Sequence, residues 1–177
     1  MRYIHFLLLL LSITLLRCER DDICAESTDT TPRLVIEFYD VESPDDLKSV
    51  PRLTLYGEGL VTDPVVFSDA TLVFNSNTNT VELPLLIGTE NEVTTSRFIL
   101  EERSDLRIDD TGTSNIDIIE VSYTPQFQYV SRACGYKSIF NNLNVSLDND
   151  LDNWISSIDI IETIVDNENT VHVHIFH

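Results

Sequence analysis

Glycine, histidine and basic residues are scarce in this chain of 177 residues. Five glycines leave little from which to build a phosphate-cradling loop, where bare backbone must approach the ligand. Of four histidines, His172, His174 and His177 crowd into the last six residues. Neither a Gly-x-Ser-x-Gly elbow nor a His-Glu-x-x-His pair occurs, the motifs through which many hydrolases and zinc proteases place their chemistry. Lysine and arginine number 11 against 30 acids, a net charge of −19. A surface of that sign repels polyphosphate, which argues against a nucleic-acid partner. It keeps the chain soluble and makes cations its natural counter-ions. Long apolar runs are also missing. The longest, residues 6–16, spans eleven positions, whereas a bilayer-spanning helix needs about 20.

What is present begins with that short run. Arg2 precedes it, and Cys18 follows one residue after it. A basic start and a short apolar stretch read as an export signal over residues 1–17. Leu15-Leu16-Arg17-Cys18 resembles the processing site of bacterial lipoproteins, with Arg17 in place of the small residue usual there. The resemblance implies that Cys18 receives a diacylglyceryl group on sulfur and, after cleavage, an acyl chain of the palmitate type on nitrogen. The alternative is an ordinary secretory signal cut near Ser12-Ile13-Thr14. Glu19-Arg20-Asp21-Asp22 resembles the acidic export tract of surface lipoproteins of the Bacteroidota. That resemblance implies an outer-membrane, surface-exposed site, with a periplasm-facing one as the alternative. The processed chain would keep 177 − 17 = 160 residues, one domain's worth.

Three cysteines occur. With Cys18 assigned to lipid, Cys24 and Cys134 remain, and an even pair in an oxidising compartment predicts one disulfide. Two buried free thiols are the alternative.

Residues 18–32 are polar and include Ser27-Thr28-Asp29-Thr30-Thr31-Pro32, the composition of an acidic, flexible tether. From residue 33 to residue 177 the pattern is that of one β domain. Strands are expected at residues 34–39, 53–56, 81–87, 93–100, 116–123, 126–130, 142–147, 154–161 and 170–176, where apolar and polar side chains alternate. Pro84 argues for an edge or a bulge. Residues 75–79, 109–112, 148–150 and 166–169 are turn-rich connectors. Residues 106–110 read as a short strand or a turn. About nine strands at this spacing predict an all-β antiparallel sandwich, with a partly closed β-barrel as the alternative.

Two constellations have the residue types for metal binding. Counted from Asp148, acids fall at positions 1, 3, 5 and 12 as Asp148, Asp150, Asp152 and Asp159. This spacing resembles an EF-hand loop, and Ca2+ takes six to eight oxygens. Asn153 stands where the loop needs glycine, Asp159 where it needs glutamate, and the flanks read as strands. An acidic hairpin turn is the competing reading. His172 and His174 are two apart, so on a strand both imidazoles would share a face, as a zinc pair would. A solvent-facing pair on a terminal strand is the competing reading. Neither constellation implies a resident cofactor. Arg132 lies beside Cys134 and Gly135, where an acidic group of a partner could meet it.

The opening strand, Thr31-Pro-Arg-Leu-Val-Ile-Glu-Phe-Tyr39, and the Val130-Ser-Arg-Ala-Cys-Gly-Tyr136 stretch make the whole chain similar to uncharacterised lipoproteins of the Bacteroidota. That resemblance implies a domain of unknown function and carries over no catalytic residue. The expected role is a non-catalytic binding or envelope-assembly module, with an envelope protein or glycan as partner. A structural or accessory subunit of an outer-membrane complex is the alternative, and a carbohydrate-active enzyme stands behind both.

Overall fold

The computed structural model describes residues 23–25, 28, 30–61 and 64–177. The expected signal, residues 1–17, the lipidation site Cys18 and most of the 18–32 tether lie outside the described residues. Among the described residues nine strands form two sheets: β1 (Leu34–Tyr39), β2 (Val50–Gly57), β3 (Thr71–Thr78), β4 (Thr80–Leu83), β5 (Thr94–Glu102), β6 (Asn115–Ser131), β7 (Gly135–Leu147), β8 (Ser157–Ile160) and β9 (Val173–Phe176). One short helix, α1 (Ser104–Ile108), follows β5. The four-stranded sheet has the order β4-β1-β9-β8 and the five-stranded sheet the order β3-β2-β5-β6-β7. Neither closes into a barrel, so the fold is a β-sandwich.

The core follows from strict alternation. Leu34, Ile36 and Phe38 on β1 meet Leu53 and Leu55 on β2, Phe98 and Leu100 on β5, and Ile119, Val121 and Tyr123 on β6, all buried. Each such side chain contributes roughly 1.5–3 kcal/mol when fully withdrawn from water. On the outer face of the five-stranded sheet, Thr54 pairs with Glu101 across β2 and β5. Both are fully buried, because α1 lies over them. Ser104 on α1 accepts a hydrogen bond from Thr54 Oγ1 (2.8 Å), and Arg107 grips Glu101.

The structure departs from the alternation pattern in specific places. Residues 71–78 form β3, although residues 75–79 were expected as a connector. Asn75 sits there at φ 44° and Arg52 opposite at φ 49°, so paired bulges carry the strand through polar sequence. Residues 116–123 and 126–130 are one strand across Pro125. Pro125 lies past the last β5 partner, Tyr123, and its carbonyl accepts from Asn91 N at 2.9 Å. The missing N–H faces that same side, where β5 asks for no donor. Residues 104–108 are helical, in place of the short strand or turn expected over 106–110. One pair is parallel: β9 runs alongside β1, with Ile36 opposite Val173. The antiparallel sandwich expected from the sequence is borne out, with this one parallel pair inside it.

Two compact units can be separated. The larger comprises Asp29–Gln128 and Lys137–His177. The smaller joins Tyr129–Tyr136 to the described residues of the Met1–Thr28 stretch, and it contains the disulfide between Cys24 and Cys134 (S–S 2.05 Å).

Candidate functional site

The larger unit contains an apolar groove of about 470 Å3, lined chiefly by Leu60, Leu72, Leu85, Leu86 and Phe98. Local sequence opens it. β2 ends at Gly57, where a Cβ would come within 2.7 Å of Leu60 Cδ1. Gly59, at φ 77°, turns the chain so that Leu60 N donates to Gly57 O (3.1 Å). Leu60 thereby folds over the strand end while staying 67% exposed. On the opposite lip, Pro84 stops β4, and residues 84–88 run on without a ladder. That segment is pinned through its backbone. Leu86 N donates to Ser96 Oγ at 3.3 Å, and Leu86 O accepts from Tyr123 Oη at 2.9 Å. Ser96 and Tyr123 join each other at 2.7 Å. Burial pushes the Tyr123 hydroxyl pKa up, so it stays a donor. With its backbone fixed, the Leu86 side chain projects outward at 62% exposure.

The rim is acidic. Arg97 binds Glu58 (2.6 Å), Glu120 (3.0 Å) and Asp148 (2.5 Å), which raises its pKa further, first through Asp148. Three carboxylates around one guanidinium leave a formal charge of −3 + 1 = −2 there. Among the described residues that line the groove, Glu58 and Arg97 are the ionisable ones, and they pair with each other.

Of the metal candidates singled out from sequence, Asp148 alone reaches the groove rim, and the candidates are not brought together. Asp148 is held by Arg97. Asp150 Oδ1 accepts from Asp152 N at 3.0 Å, closing a local turn. Asp159 stands on β8 opposite His174. The loop instead folds about Asp117, whose carboxylate accepts from Ile155 N (2.8 Å) and Asn153 Nδ2 (3.2 Å). Asp117 is fully buried, and burial pushes its pKa up. The expected calcium arrangement of Asp148, Asp150, Asp152 and Asp159 is therefore replaced by a turn organised by hydrogen bonds. His172 is fully buried, and its Nδ1 accepts from Val35 N at 3.1 Å. His174 stacks on Tyr39 with ring centroids 4.4 Å apart. His172 and His174 therefore do not present the shared outward face expected of a zinc pair: one ring is buried on the backbone of Val35 and the other packs on Tyr39. Among the described residues no group of three or more His, Cys, Asp or Glu could hold a metal ion.

The groove had one sequence signal that the alternation reading absorbed. Leu85-Leu86-Ile87 places three apolar residues in a row after a proline, so at least one must face water in a period-two element.

Comparison with curated proteins and with solved structures yields no match. A family described as "Family of unknown function (DUF6452)" matches residues 52–177. The match covers more than two thirds of the chain, from β2 to the end of β9 and including the whole groove. The chain belongs to this family of unknown function.

Proposed function

We propose that this protein is a non-catalytic binding module of the cell envelope, held at the outer membrane by acyl chains on Cys18. Its groove receives an apolar segment of a partner protein. One observation carries the reading: a groove of about 470 Å3 whose lips, Leu60 and Leu86, are held outward by backbone hydrogen bonds and a glycine turn. Binding sites are concave and mostly apolar with a few placed polar groups. Ile87, Val93 and Phe67 are exposed nearby in sequence, in keeping with a protein partner rather than a small solute. The acidic rim favours a partner whose apolar residues are flanked by lysine or arginine.

A photo-crosslinking side chain at position 86, and separately at position 60, tests this in intact cells. A discrete adduct at both positions, absent from position 151, an exposed site outside the groove lining, is the expected result. No adduct, or the same adducts from all three positions, would overturn the reading. A stoichiometric adduct that co-purifies through detergent extraction would favour a permanent subunit of an outer-membrane complex.

A further inference from the structure

The smaller unit presents a surface that the groove reading does not use. Tyr129 and Tyr136 flank the turn between β6 and β7 and meet edge to face with ring centroids 5.4 Å apart. Both are mostly exposed, Tyr136 at 69%. Ile23 is exposed beside Cys24. Together with Arg132, Ile23 and Tyr129 line a concavity of about 420 Å3. The disulfide between Cys24 and Cys134 fixes the start of the described chain to this turn.

The length of chain outside the described residues gives the surface its direction. Cys24 lies only 24 − 18 = 6 positions after Cys18. A fully extended chain covers about 3.3–3.6 Å per residue, so the turn lies within about 20 Å of whatever Cys18 is attached to. We infer that the β6–β7 turn seats in the headgroup layer of the bilayer that anchors Cys18, with Tyr129 and Tyr136 at the interface and Arg132 on a lipid phosphate. The inference rests on Cys18 being acylated. Tyrosine suits a boundary with one apolar and one wet side. An arginine can lay its stem along apolar surface while its head stays at the phosphate level. Glu19, Asp21 and Asp22 against Arg20 leave the linking residues at −3 + 1 = −2. The surface therefore suits a zwitterionic bilayer rather than an anionic one.

The test uses the full protein extracted from membranes and reconstituted in phosphatidylethanolamine–phosphatidylcholine vesicles, with plain or brominated acyl chains. The wild type, whose only tryptophan is Trp154, supplies the baseline, and Tyr136→Trp adds one reporter at an exposed position. The expected result is that the emission added by Tyr136→Trp is largely lost in brominated vesicles, and no more so when phosphatidylglycerol is included. Added emission that survives, in protein whose intact mass carries acyl chains on Cys18, overturns the seating and leaves the anchor standing. Quenching that depends on phosphatidylglycerol overturns the zwitterionic assignment. A mass without acyl chains overturns the anchor and this inference with it.

Discussion

At the scale of single residues, the side chains that hold this fold together are those a sequence hides best. Glu101 is fully buried under α1, where Arg107 grips both its oxygens at 2.6 Å and Ser114 donates at 2.5 Å. Among 30 acids, nothing in the local sequence separates it from a solvated neighbour such as Glu102. Removing one partner of a buried pair costs about 3–5 kcal/mol, because the other charge stays behind in a dry site. Arg107→Ala is therefore expected to lower stability by that amount in urea denaturation, and Arg107→Ala with Glu101→Gln to lower it by less. His172 bears on pH. Burial holds its pKa below the ordinary value of 6.5, against the opposing pull of Asp166 and Glu162. A folded-state value below the unfolded one gives stability that is complete above about 6.5. That stability is lost as pH falls through the folded value, since the unfolded chain takes up the proton first. Urea midpoints should fall between pH 7.5 and 5. In His172→Gln, which keeps an acceptor for Val35 N, the fall should be smaller. His177, also lowered by burial, keeps part of it.

At the scale of elements, alternation revealed most strands and miscounted two. β3 was invisible because Asn75 and its polar neighbours look like a turn, while β6 was split at Pro125. The two errors cancelled in the number nine. The causes differ: Pro125 reads as a strand end in β6, and bulges break the period-two reading of β3 without ending the strand. β7 has another at Asn142, φ 56°, between the inward-facing Phe140 and Leu143. Asparagine tolerates the left-handed region, and a β-branched residue does not. Asn142→Val is expected to cost about 1–2 kcal/mol, and Asn142→Gly close to nothing, by the same denaturation assay. The 148–159 segment shows how a motif can be spelled and not built. Its carboxylates already have partners in Arg97 and in the turn's own amides. Added Ca2+ at millimolar concentration should leave the melting temperature unchanged, and a rise of several degrees would reinstate the loop as a cation site.

At the scale of the whole molecule, charge and connectivity were legible while the groove was not. A net charge of −19 works against compaction through self-repulsion, and salt screens it over about 10 Å at 0.1 M. Raising NaCl from 10 to 150 mM should therefore raise the melting temperature, whereas a chain held mainly by surface ion pairs would lose stability. The cysteine count predicted the disulfide because pairing needs no knowledge of geometry. The groove depends on how two strand ends splay around Gly57 and Pro84, which no periodicity encodes. The parallel pair has a consequence of its own. β9 is the last strand in chain order, yet it lies inside its sheet, between β1 and β8. Synthesis from the amino end delivers eight of the described strands first, with a gap where the ninth must go. A product truncated before β9 would lack the strand that lies between β1 and β8. The four-stranded sheet therefore closes only on a chain made through β9.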